Sequence, residues 1–188
     1  MRIISGKFKN KKLSFGKNSK TRPLKDSVRE NIFNILTHSQ NMHVEIKNSD
    51  ILDLYAGTGS FGLECMSRDA SHVLFVENNE HALINLNKNI KNLNLEDHAT
   101  ISNQDVRIYL KENIFKKNFD LVFLDPPYIN KTFVDIIKLI KEKNLMKKKH
   151  IIVIHRDKKS DDNMSSNINI IQTRVYGRSK IFFGNILI

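Results

Sequence analysis

From Asp50 onward, short apolar runs alternate with stretches whose apolar residues recur at helical spacing. Residues 51–55, 72–76 and 119–124 are the clearest runs, rich in Ile, Leu, Val and Phe, and each predicts a buried strand. Residues 151–154 predict another, and residues 99–102 a short one. Amphipathic stretches predict helices from Ser60 to about Arg68, from about Asn79 to Leu93, after Asp105, and from about Lys131 to Lys143. This alternation predicts an α/β fold with a doubly wound, mostly parallel sheet covered by helices on both faces. The end of the chain reads differently. Residues 169–175 and 180–188 are strand-like and are joined by Tyr176-Gly177-Arg178-Ser179, which predicts a terminal antiparallel hairpin.

Before Asp50 the pattern is sparser. Residues 2–5 and 12–15 predict two short strands around a polar turn containing Gly and Lys. Asp26 or Ser27 is placed to cap a helix running through about Leu36, with Val28, Ile32, Ile35 and Leu36 on one face. Residues 37–48 form a polar connection. The expected division is therefore a small basic extension at 1–48, a β-hairpin plus a helix, and a main domain at 49–188.

Composition narrows the class. No apolar stretch approaches the ~20 residues that span a bilayer, and the basic N-terminus lacks the apolar core of a secretory signal. Cys65 is the only cysteine, which excludes an internal disulfide and a thiolate metal cluster. The expectation is a cytoplasmic, monomeric protein, with no membrane association and no bound metal. The net charge is +11 and is unevenly spread. Residues 1–25 hold Arg2, Lys7, Lys9, Lys11, Lys12, Lys17, Lys20, Arg22 and Lys25 and no acid, which leaves only +2 for the remainder. A concentrated basic segment is the footprint of a polyanion-binding surface. A solvated, lysine-rich surface would look the same, so the motifs downstream decide between them.

Gly57, Gly59 and Gly62 form a G-x-G-x-x-G between a strand and a helix. Such a turn lets a ligand approach the backbone closely, but dehydrogenases carry it too. The neighbouring carboxylates sharpen the reading. Glu77 ends the next strand, where an acid binds ribose hydroxyls. Asp53 lies in the first strand, four residues before Gly57. A dinucleotide enzyme, which sets a pyrophosphate against the helix N-terminus, needs no acid there. A cationic, phosphate-free cofactor such as S-adenosylmethionine has use for one. Asp105 follows the third strand and suits either the adenine amino group or a helix cap.

The most specific motif is Asp125-Pro126-Pro127-Tyr128, directly after the apolar run 119–124. An exocyclic base amino group is a poor nucleophile because its lone pair is delocalised into the ring. Asp125 and the carbonyl of Pro126 are placed to accept from its two N–H groups and aim the lone pair at a methyl donor. The prolines stiffen the loop, and Tyr128 offers a face for stacking the base. A strand end with an acidic turn is the bland alternative, and the whole tetrapeptide favours catalysis over it.

Asp-Pro-Pro-Tyr is the motif of class I (Rossmann-like) amino methyltransferases. The wider chain resembles the RsmD family, bacterial methyltransferases of a guanine N2 amino group in small-subunit ribosomal RNA. The similarity runs from Arg2-Ile3-Ile4-Ser5-Gly6 through Thr21-Arg22-Pro23, Val28-Arg29-Glu30, Phe33-Asn34-Ile35-Leu36, 52–59, Phe75-Val76-Glu77 and the tetrapeptide to Tyr176-Gly177. It implies that Thr21, Arg22 and Pro23 lie near the donor's methionine moiety. Asp53, Gly57 and Gly59 would cradle the donor, Glu77 would bind its ribose and Asp105 would lie beside its adenine. Asp125, Pro126, Pro127 and Tyr128 would hold the guanine. The basic hairpin with Lys7, Lys9, Lys11 and Lys12 would grip RNA phosphates, within an assembled or assembling small subunit. The product would be S-adenosylhomocysteine.

Three rivals stand beside this reading: a DNA adenine-N6 or cytosine-N4 methyltransferase, a non-catalytic RNA-binding protein of the same fold, and a nicotinamide oxidoreductase. The chain has no large target-recognition insertion, and both motifs are intact. Cys65, His72 and His155 are expected to be structural, and Phe33 and Phe61 to pack rather than stack on a ligand. Arg29 suits a surface pair or the donor carboxylate, while Arg156 and Lys158 suit either RNA or an exposed basic loop.

Overall fold

The computed structural model describes residues 1–16, 24–42, 44–127, 133–164 and 166–187. The strands are β1 (Asp50–Leu54), β2 (His72–Glu77), β3 (Ala99–Asn103), β4 (Phe119–Leu124), β5 (Met146–Asp157), β6 (Ile168–Tyr176) and β7 (Ser179–Ile186). The helices are α1 (Asp26–His38), α2 (Ser60–Ser67), α3 (Glu80–Asn92), α4 (Val106–Glu112) and α5 (Phe133–Glu142). One seven-stranded sheet runs in the order β3-β2-β1-β4-β5-β7-β6. The first five strands are mutually parallel, and β7 pairs antiparallel with both β5 and β6. This is the class I methyltransferase architecture, with the hairpin at the end.

The period-2 alternation of a strand divides the core cleanly. Ile51, Val73, Phe75, Leu121, Phe123, Ile151 and Val153 face one side, under α1, α2 and α3. Leu52, Leu54, Leu74, Val76, Val122, Leu124, Ile152 and Ile154 face the other, under α4 and α5. Phe33 of α1, Phe61 of α2 and Phe123 of β4 stack in series, with centroids 5.0 and 4.0 Å apart. They are packing residues, as expected. Ile3, Leu13, Leu24, Val28 and Ile32 join the same cluster, so the N-terminal segment shares one core with the sheet.

Three local expectations are revised. The N-terminal strands reduce to a single antiparallel bridge between Arg2 and Lys12. The reason is competition for backbone donors. Ile4 N and Ser5 N donate to the Glu64 carboxylate at 2.7 and 3.0 Å, and Lys7 N donates to the Ser67 carbonyl at 2.8 Å. These groups bind α2 instead of extending a ladder. Neither Asp26 nor Ser27 caps α1. Lys25 occupies the cap position, and Asp26 sits in the first turn with Arg29 Nη2 at 3.0 Å. Finally, β5 spans 12 residues rather than the four at 151–154. Its register against β4 slips between Phe119 and Leu121. The lysine-rich start is carried by Lys147, whose Nζ lies 3.0 Å from Asp50 and 2.7 Å from Asp120.

Candidate active site

The strand order reverses direction between β1 and β4, and the loops leaving their carboxyl ends lie side by side at the switch point, where open α/β sheets have their ligand crevice. The glycine turn follows β1 and Asp125-Pro126-Pro127 follows β4, with Asp125 N donating to Leu54 O at 3.4 Å. Topology therefore brings together two motifs that lie far apart in sequence.

The first loop is tightly bent. Tyr55, not a glycine, has φ +61°, followed by Gly57 at +57° and Gly59 at +81°. Left-handed backbone at a non-glycine residue is uncommon and collects at functional sites. A Cβ at Gly57 would meet nothing within 4 Å, whereas one at Gly59 would fall 2.4 Å from Leu86. The turn thus needs glycine at 57 for its backbone and at 59 for space as well, and open room lies over Gly57.

Two carboxylates, Asp53 and Glu77, bond the glycine segment, and a third, Asp105, follows β3. Asp53 is 1% exposed. Its Oδ2 accepts from Gly62 N at 3.0 Å, while its Oδ1 has no protein partner. Burial pushes the Asp53 carboxyl well above the usual range, the Gly62 N–H opposes this, and the negative charges of Asp125 and Glu77 add to it. Glu77, at the end of β2, accepts from Gly57 N at 2.7 Å and from Asn78 N and Asn79 N at 2.9 and 2.8 Å. It ties the glycine turn to β2. Asp105 caps α4 through Oδ1, accepting from Arg107 N and Ile108 N at 2.9 and 3.2 Å. A buried unpartnered acceptor and open space over a glycine turn suit a ligand that carries positive charge and needs close backbone approach.

Across the crevice, β5 holds the second motif by two adjacent side chains. His155 is buried and approaches Asp125 Oδ1 through Nδ1 at 2.8 Å, with Nε2 2.9 Å from Ser179 Oγ. Asp125 keeps about a quarter of its side chain, 24%, exposed. Arg156 lies on the opposite face of β5. Its guanidinium covers the Phe133 ring at 4.2 Å, donates to Asp162 Oδ2 at 2.8 Å and reaches the Pro127 carbonyl at 3.3 Å. Arg156 is therefore a buried brace of the Asp125–Pro127 loop rather than an exposed contact for RNA. Sequence reading missed the His155 and Arg156 roles because their partners come from other strands and loops. The one available signal was a His-Arg pair at the end of a strand beside β4.

The expected basic contacts lie elsewhere. Lys9, Lys11 and Lys12 are exposed, and Lys7 pairs with Asp69 at 3.5 Å. The Lys7 backbone is anchored to Ser67, at the opposite end of α2 from Gly59. An eight-residue helix separates the two by roughly 12 Å. Thr21, Arg22, Pro23 and Tyr128 lie outside the described residues. Arg29 is buried rather than on the surface, facing Asp26, the Arg2 carbonyl and Glu64. Burial pushes its guanidinium down, and Asp26 and Glu64 pull it back up. Cys65 is buried with its thiol pushed up by desolvation, and His72 bonds Thr100, so both fit structural roles.

A family model described as "Conserved hypothetical protein 95" matches residues 1–185. An uncharacterized methylase of Rickettsia prowazekii is 33% identical over 96% of this chain and 95% of its own length. A protein of Buchnera aphidicola named ribosomal RNA small subunit methyltransferase D is 32% identical over 92% of this chain and 86% of its own. Among solved structures, a putative methyltransferase, yhhF, from Escherichia coli superposes with a TM-score of 0.83 at 25% identity, covering 98% of this chain and 96% of that one. With the family model matching residues 1–185 and the fold shared over nearly the whole chain, the chain belongs to the conserved hypothetical protein 95 family, the RsmD methyltransferases.

Proposed function

We propose that this methyltransferase transfers the methyl group of S-adenosylmethionine to the N2 amino group of a guanine in small-subunit ribosomal RNA. The observation that carries the reading is the Asp125 carboxylate, partly open at the switch crevice opposite the glycine turn. The name of the Buchnera relative supports the RNA substrate. Residues 56–59 supply close backbone approach for the donor, Asp53 Oδ1 an acceptor for its positive end, and Glu77 remaining lone pairs for its ribose. Asp105 and the Thr21-Arg22-Pro23 stretch complete the donor side in this reading. Bound S-adenosylmethionine supplies an electrophilic methyl group.

The chain's own work is to make the amino nitrogen nucleophilic. Asp125 and the Pro126 carbonyl accept from the amino N–H groups, which localises the lone pair on nitrogen and directs it across the crevice. Pro127 and Tyr128 support the base plane. Asp125 also stands nearest to receive the proton that nitrogen releases after transfer. No metal is assigned. The exposed Lys9, Lys11 and Lys12, with Lys7, contact phosphates at a distance from the reacting base. The target is read as a structured RNA–protein surface of the small subunit, a mode that RNA recognition by shape and splayed bases allows.

The test is methyl transfer from labelled S-adenosylmethionine to unmodified small subunits, with deproteinised ribosomal RNA and genomic DNA in parallel. N2-methylguanosine in the subunit reaction is the expected product. Methyladenine or methylcytosine in DNA, with unlabelled RNA, would overturn the substrate. Equal labelling of naked RNA and subunits would overturn the assembled-surface reading. Asp125→Ala is expected to abolish turnover while donor binding, measured by calorimetry, survives.

A further inference from the structure

We propose that His155 is a positioning residue for the reaction, setting the rotamer of Asp125 so that one carboxylate oxygen is held by protein and the other is left for the target amino group. The inference rests on the role of Asp125 proposed above. Its geometry is direct. His155 Nδ1 lies 2.8 Å from Asp125 Oδ1 and Nε2 lies 2.9 Å from Ser179 Oγ. Three strands meet there. Asp125 follows β4, His155 is in β5, and Ser179 opens β7.

The protonation pattern follows from the partners. An ionised carboxylate only accepts, so Nδ1 must carry the hydrogen that points at Asp125. In the neutral ring Nε2 then accepts, and the Ser179 hydroxyl donates to it. Both ring nitrogens are used, which fixes the plane of the imidazole as well as its tautomer. The His155 side chain is only 5% exposed against 24% for Asp125. The ring is thus a rigid wall behind the carboxylate, and the open side of the carboxylate is the side that substrate reaches. Without the ring, Asp125 is free to rotate about its side-chain bonds, and the acceptor loses the fixed direction on which the amino lone pair depends.

The test compares His155→Leu with His155→Asn. Leucine fills the buried space without a donor. Asparagine places an N–H two bonds beyond Cβ, as Nδ1 is placed in histidine. With unmodified small subunits as substrate, His155→Leu is expected to lower kcat by about 10- to 100-fold, with KM for the subunit and the donor Kd within about threefold of wild type. His155→Asn is expected to recover kcat to within about fivefold. Ring nitrogen-15 spectra of the wild-type protein, which need no variant to fold, are expected to show the Nδ1–H tautomer. Wild-type turnover by a folded His155→Leu protein overturns the proposal. So does an Asn variant no better than Leu, or an Nε2–H tautomer in the wild type. Asp125→Ala separates the two levels. Turnover retained in that variant removes the reading of Asp125 itself, whereas a dead Asp125→Ala beside a fully active His155→Leu removes only the inference about His155.

Discussion

Asp53 is a single side chain whose burial sets stability against the donor-binding role proposed for it. It is buried beneath the glycine turn with one oxygen bonded to Gly62 N and the other without a protein partner. Its carboxyl titrates well above the ordinary 3.8 because burial disfavours the charged form. An acid raised in the folded state binds more protons folded than unfolded between the two values. Asp53 therefore contributes stability that is full below pH 3.8 and is lost as pH rises to the elevated folded value. An asparagine side chain in its place cannot ionise and keeps an acceptor for Gly62 N. Asp53→Asn is thus expected to raise the apo protein's Tm at pH 7–8 and to flatten its pH dependence between pH 4 and 8. In the same variant, donor affinity measured by calorimetry is expected to fall about tenfold or more, since the donor's positive end loses a carboxylate in a desolvated site. An unchanged pH–Tm curve would refute the buried-acid account, and unchanged affinity would refute the binding role.

At the scale of elements, α2 organises the N-terminal half through Glu64. This fully buried carboxylate accepts from Ile4 N and Ser5 N, contacts Arg68 Nε at 3.0 Å and faces Arg29 Nε at 4.0 Å. Removing it leaves two backbone donors and Arg68 Nε without their acceptor, and leaves the buried Arg29 guanidinium with Asp26 as its remaining carboxylate. Glu64→Ala is expected to cost about 3–5 kcal/mol in urea unfolding, with Glu64→Gln intermediate because one amide oxygen still accepts. Hydrogen exchange at Ile4 and Ser5 is expected to accelerate in both variants, and wild-type protection there would exclude this role. Nothing local in the sequence announced Glu64. The strands that were legible carry their signal within themselves: residues 119–124 read as a strand and are β4, unbroken, because every position but Asp120 is buried. β5 was read as four residues because Lys147, Lys148 and Lys149 open it and His155-Arg156-Asp157 close it. Of these, Lys147, His155 and Arg156 pair with Asp50, Asp120, Asp125 and Asp162, which arrive from elsewhere in the chain. The N-terminal hairpin is shorter than its sequence predicts for the converse reason, since its backbone donors go to α2.

At the scale of the whole molecule, the Lys7 backbone and the glycine turn lie at opposite ends of α2. Within one sheet, the local motifs at 53–62, 77 and 125–127 were legible because each is a short run at a strand end, where an α/β fold puts its ligand. Their supports, His155, Ser179 and Arg156, were not, because adjacency across β4, β5 and β7 is a property of the assembled sheet. The basic turn belongs to the same scale. Its Lys7 end is held to Ser67, a helix length from Gly59, while Ser14, beyond the exposed Lys9, Lys11 and Lys12, is tied through Asn89 to the Thr58 carbonyl. In the proposed reading, charges placed there act on where the RNA settles and not on the reacting atoms. Replacing Lys9, Lys11 and Lys12 together by Gln should therefore weaken subunit binding and leave kcat at saturation unchanged. Counterion release gives the size: three lost phosphate contacts lower the slope of log K against log salt by roughly two to three. The measurement is equilibrium binding of unmodified subunits across a salt series, with single-turnover methylation at saturating enzyme. An unchanged slope would place the RNA elsewhere on the surface. A fall in the saturating rate would mean that the turn acts on the crevice, through α2 or the segment that follows it, and not only on the phosphates.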